Sequence, residues 1–384
     1  MSSSYRFVMA TEIIFGIGAS QELASIIEEH GKNKALIISD KGVENAGLLL
    51  PIQDNLKERG IDWEVFDEIE QSSSVQSVDK GVEMIRNKGF DVIIAIGGGS
   101  SIDTGKAMGL VAANGGCCRD YAGSNKAKLP PLPVIALPTT AGTSAEVTDV
   151  AVIADREINA RLGLRSPYVV PKVAIVDPLL TVSVPAHVTA ATGVDALSHA
   201  IESYTNTATS VPMELTALEA IRLIGENLRS AVANGNNIKA REQMSMACVL
   251  IGLAYRNTRL GILHAITGPF CGYYDISHGV ANAVLLPHVM RFNMLGNYEK
   301  FAKIARALGV SGENLNARQL ALSSADAVQE LLTDVGLPAD FKSMELNRAL
   351  LPEIAEKAMK SGNLAINPRQ ATKEDLQSIC EKVF

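Results

Sequence analysis

One carboxylate and three histidines are spaced along the chain in a way that could bind a metal. Asp195 and His199 are four residues apart in a segment, 191–203, that reads as a helix. Their side chains should therefore project from one face, one turn apart. His264 and His278 follow farther along the chain. One carboxylate and three imidazoles suit a divalent metal of borderline softness, such as Fe(II) or Zn(II).

The helical spacing of Asp195 and His199 does not by itself separate a metal site from a surface hydrogen bond. The surroundings favour the metal. Residues 190–194 and 279–284 are mostly small and apolar, so the histidines beside them should be buried. Buried imidazoles need polar partners or a metal. His288 is interpreted as a structural histidine near this site.

The first half of the chain alternates short apolar runs with helix-like stretches. The runs are Lys34–Ser39, Asp91–Ile96, Pro133–Leu137 and Val173–Val176. The helix-like stretches are Leu48–Arg59, Val75–Lys88 and Ile102–Ala113. Buried strands separated by helices predict a parallel, Rossmann-like sheet that binds a dinucleotide.

Beyond about Val184 the strand signals almost vanish and long helical segments take over. Helices are predicted at Met213–Ala233, Ala240–Tyr255, Tyr298–Leu308 and Ala317–Val335. A chain of 384 residues is too long for one ordinary core. We therefore expect an α/β domain over residues 1–182 and an all-α domain over residues 183–384, with the boundary near Pro178–Pro185.

Charge, apolar runs and cysteines indicate which classes of protein and partner are not expected for this chain. The net charge is −7 and no basic block marks a nucleic-acid or membrane surface. No signal-like h-region or long apolar span occurs. The five cysteines show no CxxC pair and no disulfide framework. These features predict a cytoplasmic enzyme with a small-molecule substrate.

A glycine-rich turn follows the second apolar run and suggests where a cofactor binds. Gly97, Gly98 and Gly99 lie between a strand and a helix, where backbone N–H groups favour a phosphate. Ser100 is expected to cap that helix. The GxGxxG fingerprint is absent, and such a triplet can also be a plain turn.

Two further turns that follow predicted strands could contact the same cofactor. Asp40 follows the first apolar run. It could bind ribose hydroxyls and favour NAD over NADP, or it could simply cap the next helix. Hydroxyls at Thr139, Thr140 and Thr143 could contact the pyrophosphate or the nicotinamide amide.

Taken together and in order, these motifs resemble the iron-dependent (group III) alcohol dehydrogenases. The family includes lactaldehyde reductases, propanediol dehydrogenases and NAD-dependent methanol dehydrogenases. Its fold is shared with the dehydroquinate synthases. The matching stretches are 97–106, 138–143 with Glu146, 176–178, 190–199, 260–264 and 278–288.

The resemblance implies a metal site, a cofactor site and a chemistry. Its metal, usually Fe(II), would be bound by Asp195, His199, His264 and His278. Its cofactor NAD(H) would contact Asp40, Gly97, Gly98, Gly99, Ser100, Asp103, Thr139, Thr140, Thr143 and Arg161. The reaction would be reversible hydride transfer between nicotinamide and an alcohol or aldehyde carbon, with the metal as a Lewis acid. A homodimer or larger homo-oligomer is expected.

Four residues depart from the family pattern, and three of them bear on the substrate. The family usually carries a second histidine where this chain has Gly268, and a lysine where it has Arg161. Relatives usually carry small or neutral residues at Arg256 and Arg259, which with Tyr255 should line the substrate cleft. These two arginines could form an ordinary salt bridge or a clamp for an anionic group.

The sequence therefore predicts an NADH-linked reductase of a short aldehyde, with an anionic aldehyde favoured. Sulfoacetaldehyde, reduced to isethionate, is one candidate, and this would make the chain similar to a sulfoacetaldehyde reductase. A neutral aldehyde or diol of the lactaldehyde or 1,3-propanediol type is the first alternative. A non-redox metal-dependent lyase or synthase on the same scaffold is the second.

Overall fold

The computed structural model describes residues 4–69, 73–158, 160–312 and 314–384, which form two compact units. The α/β unit consists of Met9–Thr140 and Ser144–Val184. The helical unit consists of Pro185–Phe384 together with residues 4–8 and Ala141–Thr143. Sequence analysis did not anticipate that these two short segments belong to the helical unit.

A six-stranded parallel sheet forms the centre of the α/β unit. Its strands are β1 (Glu12–Phe15), β2 (Lys34–Ile38), β3 (Asp62–Phe66), β4 (Val92–Gly97), β6 (Val134–Pro138) and β9 (Val173–Val176), in the order β1-β9-β6-β4-β2-β3. β4, β6 and β9 are buried along their whole length. Continuous apolar runs of this kind are typical of strands covered on both faces by helices, so the predicted parallel sheet is confirmed.

Five strands were not predicted, and they are the exposed or short ones. β1 and β3 lie at the two edges of the sheet, where residues such as Asp62 and Glu64 interrupt the apolar pattern. Edge strands are commonly polar, because charges there discourage pairing with other chains. A second sheet contains β5 (Gly123–Ser124), β7 (Val150–Asp155) and β8 (Ala160–Arg165) in the order β5-β8-β7.

The helices of the α/β unit begin and end at recognisable signals. They are α1 (Leu23–Glu29), α2 (Lys41–Asn45), α3 (Leu49–Glu58), α4 (Val75–Lys88) and α5 (Gly99–Asn114). Ser74 caps α4, and Gly89 ends it with φ 69°. α5 begins three residues before its predicted start, and its N-cap is Gly98. The prediction that Ser100 caps this helix is therefore wrong, because Ser100 already lies in its first turn.

The helical unit is built from nine helices among its described residues. They are α6 (Ala186–Thr205), α7 (Val211–Ala233), α8 (Ile238–Asn257), α9 (Ile262–Tyr274), α10 (His278–Asn293), α11 (Tyr298–Ala307), α12 (Ala317–Asp334), α13 (Leu351–Ala358) and α14 (Lys373–Glu381). One large cluster of buried apolar side chains joins them. α6 lies centrally and packs against α7, α8 and α10. Of the described helices, none is both long and apolar enough to cross a membrane.

Candidate metal centre and cofactor-binding loops

Three helices of one unit bring the predicted metal ligands together. α6 carries Asp195 and His199 one turn apart, and both are almost completely buried. α9 places His264 in its first turn, and α10 begins at His278. Because α9 and α10 pack against each other and α10 packs on α6, ligands distant in sequence meet at one point.

The distances between these groups are those of a metal site. One ligand atom from each of Asp195, His199 and His264 lies within 4.8 Å of the others. The rings of His199 and His264 are 4.3 Å apart at their centroids, and those of His264 and His278 are 5.5 Å apart. His278 Nε2 lies 3.9 Å from Asp195 Oδ1, so the fourth predicted ligand borders the same cluster.

Hydrogen bonds orient two of the imidazoles. His199 Nδ1 lies 2.8 Å from the backbone carbonyl of Asp195, and His264 Nδ1 lies 2.7 Å from Glu202 Oε2. A carbonyl and a carboxylate can only accept, so both Nδ1 atoms carry the hydrogen. Both Nε2 atoms are then left with a lone pair, which is the form that binds a metal.

The charges of the cluster suit a cation. Burial lowers the pKa of His199, more than the attraction of Asp195 raises it. Burial would raise the pKa of Asp195, but attraction to the nearby His199, His278 and His264 and the hydrogen bond from the Asn282 amide hold it below its usual value. A buried carboxylate beside imidazole nitrogens is the donor set that Fe(II) or Zn(II) requires. These residues therefore fit the metal that the sequence predicts.

His288 is not part of this cluster. It lies ten residues after His278 on α10, which is roughly 15 Å along a helix. Burial, and then Arg291 and Lys382, lower its pKa. The role of His288 as a structural histidine near the metal site stays a prediction.

The predicted cofactor residues of the α/β unit meet at the carboxyl ends of β2, β4 and β6. Asp40 follows β2, the glycine turn follows β4, and Thr139 and Thr140 follow β6. Thr139 N donates to Gly97 O at 2.9 Å, which joins the last two turns. An added Cβ on Gly98 would lie 3.4 Å from Thr140 Oγ1. In an open parallel sheet this edge is where ligands bind.

Close contacts at Gly97 and Asp40 fix the positions of the turns at this edge of the sheet. Gly97 has φ 150°, and a Cβ there would come within 2.4 Å of Ser101 Oγ. Asp40 Oδ1 accepts from the N–H groups of Gly42 and Val43, and Oδ2 accepts from Ser101 Oγ. The helix-cap interpretation of Asp40 is therefore confirmed. Each carboxylate oxygen has more than one acceptor site, so this does not preclude a ribose contact.

The remaining three predicted cofactor residues lie elsewhere. Asp103 Oδ2 accepts from Val152 N, and Oδ1 contacts Lys106 Nζ, so this side chain ties α5 to β7. Arg161 is exposed on β8. Thr143 belongs to the helical unit, beside Gly142, whose added Cβ would meet Thr192 at 2.8 Å. Their contacts with the cofactor stay predictions.

The predicted substrate residues are arranged unevenly around the cluster. Tyr255 is close to it, with its ring 5.6 Å from that of His199. Gly268 lies one turn after His264 on α9, and Gly272 lies one turn after Gly268. A Cβ added at either glycine would have no atom within 4 Å. Arg256 follows Tyr255 on α8 and is half-buried. Arg259 is exposed, has φ 149°, and its Nη1 would lie 3.4 Å from a Cβ on Gly362.

Two residues that sequence analysis did not single out contact the ligands directly. Glu202 lies three residues after His199 on α6 and accepts from His264 Nδ1. Asn282 lies one turn after His278 on α10 and donates to Asp195 Oδ1 at 2.7 Å. Thr267 orients this amide by donating to its oxygen at 2.6 Å. Helical spacing from a predicted ligand was the one sequence signal that pointed to them.

Both parts of the chain match models of one protein family. Residues 10–178 match the iron-containing alcohol dehydrogenase model, and residues 189–384 match its C-terminal counterpart. The chain belongs to the iron-containing alcohol dehydrogenase family. The resemblance inferred from the motifs and the predicted enzyme class are thereby confirmed. Because both models describe dehydrogenases, the alternative of a non-redox lyase or synthase is set aside.

Curated relatives match over almost their full length. 1,3-Propanediol dehydrogenase of Citrobacter freundii is 39% identical over 99% of this chain and 100% of the relative. NAD-dependent methanol dehydrogenase of Bacillus methanolicus is 38% identical over 98% and 99%. Lactaldehyde reductase of Escherichia coli (strain K12) is 35% identical over 97% of each.

Solved structures agree on the fold and on the cofactors. A crystal structure of 1,3-propanediol oxidoreductase superposes with a TM-score of 0.97 at 37% identity, covering 100% of both chains. Sulfoacetaldehyde reductase from Bifidobacterium kashiwanohense, solved in complex with NAD+, superposes with a TM-score of 0.91 at 30% identity, covering 100% of this chain and 99% of the other. The predicted fold class and the predicted cofactors, iron and NAD, are confirmed.

Proposed function

We propose that this protein interconverts a short primary alcohol or diol and the corresponding aldehyde, with NAD(H) as the hydride carrier. The observation that carries the proposal is the buried group of Asp195, His199 and His264, whose ligand atoms lie within 4.8 Å of one another. His278, beside Asp195, completes the set. When bound there, iron would act as a Lewis acid on the alcohol or aldehyde oxygen.

The residues around the cluster prepare it for this role. The Asn282 amide donates to Asp195 Oδ1 and so holds this carboxylate in place. Burial of Asp195 and His199 excludes water from one side of the site. Gly268, one turn after His264 on α9, leaves open space where a side chain would stand. A water in this space can supply the proton that the product oxygen needs, which is our account of the missing family histidine.

The edge of β2, β4 and β6 supports NAD rather than NADP as the cofactor. The N-terminus of α5 offers unpaired N–H groups to the pyrophosphate. Asp40 places a negative charge beside this turn, where it would repel a 2′-phosphate.

The substrate class is the finer part of the proposal. Relatives that act on 1,3-propanediol, methanol and lactaldehyde are 35–39% identical to this chain, whereas the sulfoacetaldehyde reductase is 30% identical. A short neutral substrate is therefore favoured. An anionic aldehyde remains the second candidate because Arg256, half-buried beside Tyr255, could bind its charged end. Arg259 contributes less to this idea, because it is exposed and directed toward Gly362.

The test is the oxidation of NADH at 340 nm by Fe(II)-loaded protein without air. The panel contains 3-hydroxypropanal, lactaldehyde and propanal as neutral aldehydes, and sulfoacetaldehyde and phosphonoacetaldehyde as anionic ones. We expect the highest kcat/KM with a neutral aldehyde. Highest activity with an anionic aldehyde would contradict this choice, and no oxidation with any aldehyde would refute the proposed function.

Arginine variants separate the two substrate classes further. If Arg256 binds an anion, Arg256→Ala should raise KM for sulfoacetaldehyde about tenfold or more and spare propanal, since one charged hydrogen bond contributes roughly 1.5–3 kcal/mol. Arg222→Ala is the matched control, because Arg222 pairs with Glu219 and Glu226 on the exposed face of α7. Equal effects on charged and neutral substrates would make Arg256 structural.

The cysteines bear on the compartment in which the protein works. None of the five cysteines forms a disulfide, and four of them are buried. Free thiols are typical of a reducing compartment, so we propose a cytoplasmic enzyme. We also propose a homodimer or larger homo-oligomer, which size-exclusion chromatography with light scattering would test.

A further inference from the structure

We propose that Glu202 is the positioning residue for His264, and that one carboxylate sets both the tautomer of this imidazole and the start of the helix that carries it. The inference rests on the proposed metal-dependent function. Glu202 is 2% exposed and lies on α6, one turn from His199 and two turns from Asp195. It is therefore built into the helix that supplies two of the other three predicted ligands.

The two oxygens of Glu202 have separate tasks. Oε2 accepts from His264 Nδ1 at 2.7 Å, and Oε1 accepts from Leu263 N at 2.8 Å. An ionised carboxylate only accepts, so the imidazole hydrogen must sit on Nδ1. His264 Nε2 is then the lone-pair atom, and it is this atom that lies 3.3 Å from the Asn282 amide beside Asp195.

The start of α9 depends on Glu202 because the helix has no side-chain cap of its own. Its N-cap is Gly261, and its first two N–H groups are satisfied by other elements. Asn367 Oδ1 accepts from Ile262 N at 3.2 Å, and Glu202 accepts from Leu263 N. Unsatisfied N–H groups at a buried helix start are costly, so both acceptors are needed.

Gly261 is a glycine for the same reason. A Cβ at this position would lie 2.7 Å from Glu202 Oε1 and 2.8 Å from Asn367 Oδ1. Any side chain would push these oxygens away from the helix start. The glycine in the stretch from Leu260 to His264 thus leaves room for the two acceptor oxygens at the start of α9.

A carboxylate that hydrogen-bonds a metal-binding histidine fixes its orientation and raises its basicity, and its loss typically lowers metal affinity by about 10–100-fold. Glu202→Gln isolates this effect. A glutamine has one acceptor oxygen, so it can serve Leu263 N or His264 Nδ1 but not both. The Leu263 N–H can only donate, whereas the imidazole can shift its hydrogen, so the glutamine oxygen should face Leu263 N and its NH2 should face the ring. The NH2 then donates to Nδ1, and the imidazole hydrogen moves to Nε2, where it blocks the metal.

Asn367→Ala is the matched control. It removes the neighbouring acceptor from the same helix start and leaves Glu202 and His264 in contact. If Glu202 only caps the helix, E202Q and N367A should lower thermal stability and metal affinity in parallel. If Glu202 positions His264, E202Q should weaken metal binding far more than N367A at a similar loss of Tm.

The experiment uses metal-free full-length protein titrated without air with Co(II), in competition with a chelator, and followed through the visible Co(II) absorption bands. We expect the Kd to rise by about 10–100-fold in E202Q and by less than about threefold in N367A. In the metal-free protein labelled with 15N-histidine, we expect the His264 ring to change from the Nδ1–H to the Nε2–H tautomer in E202Q.

Each outcome decides a different point. E202Q that binds Co(II) like the wild type, or that keeps the wild-type tautomer, would overturn the positioning role and leave the proposed function intact. Parallel losses in E202Q and N367A would reduce Glu202 to a helix cap. A wild type that binds neither Co(II) nor Fe(II) would overturn the proposed function and this inference together.

Discussion

Gly279→Ala should damage the metal site without touching a ligand. Gly279 follows His278 in the first turn of α10, where this helix crosses α6. An added Cβ would lie 2.5 Å from the backbone oxygen of Ala191 and 2.9 Å from its carbonyl carbon. These are backbone atoms in the second turn of α6, so no side-chain rotation relieves the clash.

The size of the effect follows from the distances. Ordinary contact begins at 3.4 Å, so α10 must withdraw by about 0.9 Å, the difference between 3.4 and 2.5 Å. Metal–ligand distances tolerate deviations of only about 0.2 Å. His278 should therefore leave the ligand set of Asp195 and His199. We expect at least a tenfold weaker Kd for Co(II), and roughly a 100-fold loss of kcat/KM, since a misplacement of about 1 Å costs this much.

The control is the same substitution at a glycine with space. Gly272→Ala, on the exposed face of α9, has no atom within 4 Å of the added Cβ. Alanine favours a helix over glycine by about 1 kcal/mol, so this variant should melt at the same or a higher temperature and bind Co(II) normally. Wild-type Co(II) affinity and Tm in G279A would refute the reasoning, because the close approach of α10 to α6 would then be unimportant.

Three further predictions concern buried polar groups. Lys106→Met should lower the free energy of unfolding by about 3–5 kcal/mol in urea, because Asp103 loses the cation that compensates its buried charge; a loss below about 1 kcal/mol would contradict this. Burial raises the pKa of Glu146 from 4.5 to about 7, so the wild type should lose stability as the pH rises from 4.5 to 7. Glu146→Gln should remove this loss and be more stable by about 3 kcal/mol at pH 8 but not at pH 4; equal urea midpoints at pH 8 would count against it. Asn282→Ala removes the donor to Asp195 and should weaken Co(II) binding about tenfold, whereas an unchanged Kd would show that Asp195 holds its position alone.

The sequence predicted the parts of the fold whose signals are local. Continuous apolar runs identified β2, β4, β6 and β9, because a strand buried on both faces has no polar positions. It did not reveal the edge strands β1 and β3. β1 has only three apolar residues after Glu12, and in β3 the apolar residues are interrupted by Asp62 and Glu64. Pairing with β9 and β2 makes them strands.

The sequence by itself also pointed to the candidate metal ligands, because Asp195 and His199 are one helical turn apart and two more histidines follow. Only the tertiary structure decided how they meet and which nitrogen of His264 faces the others. Glu202 and Asn367 approach α9 from positions 61 and 105 residues away from their N–H partners. Contacts between residues so far apart depend on how α6, α9 and the end of the chain pack, and no local pattern in the sequence records that packing.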